Sequence, residues 1–454
     1  MSIIHIVILF FAIVALLIIG KKPVNAIYSI FLLTFFRGLM IYPLGISPFI
    51  INLLFQLLII FLFIQVLLIK KAANKRLHFP GIKIFILYTF IVILSAIINN
   101  SDFYTSYSFY KHTLNAYLFL ISIYNLNSPG WQTDKIIKFI FSLSLLQIIA
   151  SILKFIYYGR LESIIGTISY TSGSYSTIFP LIAISFLFLY YLISERKYKY
   201  LIYALGFLFM AWVGNKRGIY FYLIIIVLLD FFLYYKVVLR KKVLTPIVVR
   251  SLFVGIFLSF GIFYFGVRYS PTLNPEHKVG GSFDIKFIQE YLIAYNIGKN
   301  DQYAGRGGSM LLLSEYFEKE KNITPKIIGL GPDHLLHKEL RGEQSHFIFK
   351  MDNIIPTGVF YYIISIGVSG SIVIMWFYLF FGYKVLQISK QNLKNYWKSI
   401  SLATLTTVII AIMDFLTYSR AFVSAQLLNV ILFYFVGILL KNSNYMFRKN
   451  YTEL

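Results

Sequence analysis

Residues 49–69 read FIINLLFQLLIIFLFIQVLLI and run directly into Lys70-Lys71. No charged side chain occurs in that stretch. A helix needs about 20 apolar residues to cross the hydrocarbon layer of a bilayer. The stretch lacks the apolar–polar alternation of a lipid-facing barrel strand, so it reads as a transmembrane helix. Similar runs recur at 3–20, 26–42, 82–98, 108–125, 135–156, 174–193, 201–214, 217–235, 251–267, 356–380, 399–415 and 422–440. The composition agrees: 58% of the 454 residues are hydrophobic, 13% are charged, and the mean hydropathy is +0.74. Soluble globular chains are far less apolar. The expected fold is therefore an all-α integral membrane protein of about 12–13 transmembrane helices.

The first run, Ile3–Gly20, has no basic residues ahead of it and no small-residue cleavage site, and Lys21-Lys22 follow it. It reads as a retained span rather than a signal peptide. The formal charge of +24 would suggest nucleic acid only if topology were ignored. The basic residues cluster between apolar runs: Lys70, Lys71, Lys75 and Arg76; Arg196, Lys197 and Lys199; Lys236, Arg240, Lys241, Lys242 and Arg250; Lys384, Lys390, Lys394 and Lys398; and Lys441, Arg448 and Lys449. If the spans alternate, all five clusters fall on one side, which the positive-inside rule makes cytoplasmic. The absence of cysteine excludes disulfides. No internal repeat is visible, which argues against a repeat-built transporter.

One segment breaks the pattern. Residues 268–355 hold 11 of the 18 acidic residues, 11 basic residues and four of the seven histidines. This is expected to be one large external loop containing short amphipathic helices, with a transmembrane bundle of about ten spans at 1–267 before it. Residues 356–454 supply the C-terminal helices and a short cytoplasmic tail. Helical spacing of apolar residues marks Asp284–Ile297 and Ser309–Lys321 as surface-lying helices. Ahead of the second stands Gly305-Arg306-Gly307-Gly308-Ser309, with Ser309 as the expected N-cap. Free N–H groups at a helix start favour an anion, and Arg306 adds a permanently charged fork suited to phosphate oxygens.

Gly329-Leu330-Gly331-Pro332-Asp333 reads as a tight turn whose Asp333 caps a helix over His334–Leu340. It lacks the strand and third glycine of a dinucleotide fingerprint. His334 and His337 have no fitting third ligand, so a zinc site is not expected. His346 and Asp352, just before the next span, are candidate general bases. Gly367-Val368-Ser369-Gly370, inside that span, would permit close helix approach.

Seven basic residues lie within spans or at their outer ends: Arg37, Lys111, Lys154, Arg160, Lys216, Arg217 and Arg420. Charge in such places is costly and marks function by default, with snorkelling or ion pairing as the plain alternative. Asn215-Lys216-Arg217-Gly218 puts two adjacent cations at a short turn, for which a lipid-linked phosphate is an economical partner. There is no D-x-D pair of the kind that holds a metal in sugar transferases, so no metal and no cofactor are expected.

In their order along the chain these features resemble the O-antigen polymerase and O-antigen ligase superfamily, bacterial multi-span glycosyltransferases of the C type. Lys216-Arg217-Gly218 resembles that family's arginine at an outer turn. Gly305-Arg306 matches its loop arginine and Gly329-Leu330-Gly331 its Gly-x-Gly turn. Asp352-Asn353 with Gly367–Gly370 resembles the motifs around its next span, and Ile165-Gly166-Thr167 with Gly173 an upstream external motif. The likeness covers about 160–380; the N-terminal half is similar only in general topology. The ligase histidine has no clean counterpart: His346 lies too far upstream of the glycine pair, and the nearer position holds Asp352, which favours polymerase.

The resemblance implies polymerisation of undecaprenyl-diphosphate-linked oligosaccharide repeat units, building O-antigen, capsular or exopolysaccharide at the outer face of the bacterial cytoplasmic membrane. Arg217, Arg306 and Lys216 would bind the diphosphate. Asp352 or His346 would take the acceptor proton, and Arg37 and Arg420 would line the lipid groove. A chain-length regulator and a flippase are the implied protein partners; nucleic acid is not. The alternatives are a ligase on the same fold or a flippase for the same lipid. The long loop and the absence of repeats argue against the flippase.

Overall fold

The computed structural model describes residues 22–126, 130–159, 164–169, 172–214, 216, 218–240, 246–296, 305–332, 356–419 and 421–451. Every regular element among them is a helix. In chain order these are α1 (Pro23–Phe35), α2 (Arg37–Ile41), α3 (Pro48–Ala72), α4 (Ile82–Ile98), α5 (Phe103–Asn125), α6 (Gly130–Tyr158), α7 (Gly173–Tyr190), α8 (Lys199–Val213), α9 (Gly218–Leu233), α10 (Pro246–Tyr269), α11 (Ile285–Asn296), α12 (Gly305–Lys319), α13 (Ile323–Ile328), α14 (Gly358–Ser389), α15 (Asn395–Met413), α16 (Ala421–Ser424) and α17 (Gln426–Tyr451). Wider π-type turns extend α7, α9 and α15, the last over Asp414–Tyr418.

The chain is an all-α membrane protein. Among the described residues six helices are long and apolar enough to cross a bilayer, and five shorter apolar helices accompany them. Together with the more polar α5 they occupy the positions of all the expected spans except 3–20, which lies outside the described residues. The second span differs in kind: α1 stops at Phe36 and the chain restarts as α2.

The helices divide into an inner and an outer set. Windows of α7, α14 and α15 are 67%, 61% and 72% buried, against 39% for α3 and 33% for α6. The outer helices turn apolar stripes outward. On α4, Ile86, Phe90, Ile93 and Ile97 are exposed at helical spacing, as a lipid-facing surface requires. The inner helices are rich in small hydroxyl residues, which let backbones approach. Their hydroxyls bond back to the preceding turn, Thr404 to the Ile400 carbonyl and Thr407 to that of Ala403, both at 2.8 Å.

One carboxyl is sealed in this inner set. Asp230 of α9 is 1% exposed, and its Oδ1 accepts from Ser185 of α7 at 3.0 Å and from Thr406 of α15 at 2.7 Å. It therefore ties three helices at a single atom. An intramembrane side-chain hydrogen bond contributes about 0.6 kcal/mol on average and about 1.7 at most. Asp230→Ala is expected to lower stability by about 1–2 kcal/mol, whereas Asp230→Asn, which keeps an accepting oxygen, is expected to stay near wild type. Thermal unfolding of the two variants in detergent measures the difference.

The segment between α10 and α14 is built onto the bundle rather than hung from it. Arg268 donates from Nε to the Gly281 carbonyl at 2.8 Å, and the Asn274 amide donates to the carbonyls of Ser270 at 3.0 Å and Lys278 at 2.9 Å. Bonds from Ser282 hold the exposed Glu276 carboxyl below its usual range. Asp284 caps α11 through the amides of Lys286 and Phe287.

One expectation is corrected. Ser309 is not an N-cap: α12 already begins at Gly305, whose φ of +61° a glycine adopts without strain. Ser309 is buried one turn in, with its hydroxyl donating to the Arg306 carbonyl at 2.6 Å. Gly367 admits the Ile327–Ile328 end of α13 against α14, and it does so at a break in the helix. α14 breaks there, with Ile366 at φ −131° and Gly367 at φ +74°. The 327–331 strip enters the break: the Leu330 and Gly331 amides donate to the carbonyls of Ile364 and Ser365 at 2.7 and 3.0 Å, and Ser369 donates to the Ile327 carbonyl at 2.6 Å. A Cβ on Gly367 would lie 2.0 Å from the Ile327 oxygen. Gly367→Ala combines that overlap with left-handed backbone strain of about 1–3 kcal/mol. A clear drop in melting temperature in detergent is expected.

Candidate functional site

Of the polar residues named from sequence, Lys216 and Arg306 meet at the first turn of α7. Gly173 opens that helix, and Ser176 turns its hydroxyl back to the Ser172 carbonyl at 2.6 Å. Lys216 follows α8 and its amide donates to the Ala211 carbonyl at 3.1 Å. Lys216 is 7% exposed, and its Nζ lies 3.7 Å from where a Cβ on Gly173 would stand. The buried amine thus sits against the start of α7.

Arg306 reaches the same place from α12. Its Nε donates to the Tyr418 carbonyl at 2.7 Å, and its Cζ stands 3.8 Å from the centre of the Tyr418 ring. One residue therefore supplies both an acceptor and an aromatic face to the guanidinium. Neither Nη group has a hydrogen-bond partner among the described residues, so the open edge of the fork remains for a ligand.

Tyr418 is itself fixed. Its hydroxyl pairs with that of Thr177 at 2.8 Å and lies 3.4 Å from the Gly173 carbonyl. Tyr222 stands edge-on to the ring at 5.7 Å and bonds Thr417 at 2.8 Å. Ser174 donates to the Ser419 hydroxyl at 3.2 Å.

Asp414 holds this turn from below. It is 2% exposed; Oδ1 accepts from the Ser419 hydroxyl at 2.6 Å and Oδ2 from the Ala421 amide at 2.8 Å. Through these two bonds Asp414 anchors the wide turn that carries Tyr418. Wide turns of this kind are frequent at functional sites.

Arg37 stands at the break between α1 and α2, two residues beyond Phe35, which meets Phe179 of α7 edge-on at 6.0 Å. Lys154 has a structural task, donating to the carbonyls of Ser169 at 2.7 Å and Ile165 at 3.3 Å. Arg217, Arg420, His346 and Asp352 lie outside the described residues, as do Asp333, His334 and His337. The chain neighbours of Arg217 and Arg420, namely Lys216, Gly218, Ser419 and Ala421, belong to the described site or border it.

Sequence reasoning thus named Lys216, Arg306 and Arg37 and missed Tyr418, Asp414 and Ser419. Asp414 carried a usable signal, being one of the few acids outside 268–355 and set in an apolar run. The rule that a charge within a span marks function applies to it as it does to the cations. Tyr418 carried none, as one of 36 tyrosines. No protein-family model matches the chain, and no curated protein matches it.

The seat predicts a graded response. Tyr418→Phe keeps the ring and the carbonyl beneath Arg306, and a small loss of pyrophosphate affinity is expected. Tyr418→Ala removes the ring, and a loss of about 0.5–2 kcal/mol is expected. Calorimetric titration of the purified chain with pyrophosphate separates the two.

Proposed function

We propose that this chain is a polysaccharide polymerase that joins undecaprenyl-diphosphate-linked oligosaccharide units at the outer face of the bacterial cytoplasmic membrane. The observation that carries the reading is the Arg306 guanidinium, clamped by Tyr418 with both Nη groups open, in one site with the buried amine of Lys216. Two fixed cations at the end of a membrane bundle suit a lipid-bound diphosphate. The order of the sequence motifs supports the same class.

In this reading the growing chain is held as its lipid diphosphate. A hydroxyl oxygen of a second lipid-linked unit attacks the anomeric carbon, the bond from that carbon to the diphosphate oxygen breaks, and the lipid diphosphate leaves with the electron pair. Arg306 and Lys216, with Arg217, stabilise the charge that develops on the leaving oxygen. The hydroxyl proton passes to Asp352 or His346. Asp414 is buried and is given the structural task of holding the Tyr418 turn.

The lipid tail needs an apolar surface open to the bilayer. A groove of about 820 Å³ between α4 and α5, lined by Val92, Ile93, Ile97, Phe103 and Tyr107 among others, offers one. It ends at Ser101, beside Gly331.

Membranes given lipid-linked repeat units alone test the proposal. Chain elongation is expected. Reaction only after a separate acceptor is added would instead indicate a ligase, and a deletion strain lacking single repeat units on its surface would indicate a flippase. Arg306→Ala and Arg217→Ala are each expected to lower the elongation rate about 10²–10³-fold at normal protein level, the usual effect of losing one charge-stabilising donor. Arg306→Lys is expected to fall nearly as far, because an ammonium cannot reproduce the planar fork. Full-length polymer from both alanine variants would rule out the site.

A further inference from the structure

The backbone of Arg37 is clamped on both sides by a turn from elsewhere in the chain. Thr167 does the clamping. Its carbonyl accepts from the amides of Gly38 at 2.9 Å and Leu39 at 3.2 Å, and its hydroxyl donates to the Phe35 carbonyl at 2.8 Å. The turn is held in place by α6. The Gly166 amide donates to the Ser151 hydroxyl and the Thr167 amide to the Gln147 carbonyl oxygen, each at 2.7 Å, while Lys154 ties down the Ile165 and Ser169 carbonyls. Gly38 is obligatory, since a Cβ there would stand 2.5 Å from the Ser169 Cα.

All these bonds fix the backbone around position 37, and none of them satisfies the side chain. The Nε of Arg37 is buried without a hydrogen-bond partner, and no carboxylate pairs with the guanidinium among the described residues. A buried donor left unmade costs about 1–3 kcal/mol, more for a charged group, so a partner is expected when the site is filled. The clamp also borders the site: a Cβ on Gly214, two residues before Lys216, would lie 2.7 Å from the Ile164 carbonyl oxygen, and Phe35 stands edge-on to Phe179 of α7 at 6.0 Å.

We infer that Arg37 is a further anion ligand of the α7 site, contacting the diphosphate of a lipid-linked substrate beside Arg306 and Lys216, and that the 164–169 turn is the device that positions it. The assignment rests on the proposed reading that Arg306 and Lys216 hold a diphosphate. It changes the part given to two sequence features: Arg37 is a phosphate ligand rather than groove lining, and Ile165-Gly166-Thr167 acts through Arg37 rather than on substrate.

The test is binding of undecaprenyl diphosphate to the full chain in nanodiscs, with undecaprenyl phosphate as the comparison lipid and thermal unfolding as the fold control. Arg37→Gln is expected to weaken diphosphate binding about tenfold or more, as loss of a charge-assisted bond does. Arg37→Lys is expected to recover part of that loss and serves as the charge-retaining variant if the glutamine variant does not fold. Thr167→Val, which deletes the bond to Phe35 and leaves Arg37 in place, is expected to weaken binding severalfold without a matching drop in melting temperature. If Arg306→Gln weakens binding and neither Arg37 variant does, this inference falls and the proposed function stands. If the wild-type chain prefers neither lipid, the diphosphate reading falls and this assignment falls with it.

Discussion

A backbone group left unpaired in hydrocarbon costs several kcal/mol, and the architecture follows from how this chain meets that constraint. Its helices break at defined points, and each described break is met by a partner. The break at Phe36 is met by Thr167, whose carbonyl and hydroxyl take up the exposed groups of residues 35, 38 and 39. The break at Ile366-Gly367 is met by residues 327–331, which lend amides to the Ile364 and Ser365 carbonyls. The wide turn at Asp414–Tyr418 is met by the Asp414 carboxyl, which takes the Ser419 hydroxyl and the Ala421 amide. Irregular backbone in a membrane protein is tolerated where protein or a cavity surrounds it, and such segments are where ligands are commonly held.

The candidate site lies among these irregular segments because only they can offer unusual polar groups. A continuous helix uses its own carbonyls. The turn after Asp414 instead frees the Tyr418 carbonyl to accept from Arg306 while its ring lies against the guanidinium. The break at Phe36 likewise sets Arg37 at the start of a new helix, with its Nε buried and without a hydrogen-bond partner. The fully buried Asp230 contrasts with both: its Oδ1 bonds hydroxyls from two neighbouring helices, and it serves as a cross-tie within the bundle.

Glycines carry much of this arrangement, each for a local reason. Gly367 admits the Ile327 carbonyl at a distance no side chain allows, Gly38 admits the Ser169 backbone, and Gly173 makes room for the Lys216 amine. The sequence motifs around Gly166, Gly329 and Gly367 therefore read best as joints. Gly329 and Gly367 interlock with each other, and Gly166 belongs to the turn that holds Arg37.

The sequence by itself determined the class, the membrane setting and the approximate limits of the helices, because burial in hydrocarbon imposes a length and an apolarity that one-dimensional pattern records directly. It also marked Lys216, Arg306 and Arg37, because a cation near lipid stands out against an apolar background. Only the tertiary structure decided that Lys216 and Arg306 meet around one helix start, that Tyr418 seats Arg306, and that Asp414 holds the seat. The Arg306 seat joins residues more than a hundred positions apart through a backbone carbonyl and one tyrosine among many, and neither periodicity nor composition encodes it. It also decided that Ser309 lies inside a helix and that Gly367 breaks one, since both follow from what packs against them rather than from local propensity.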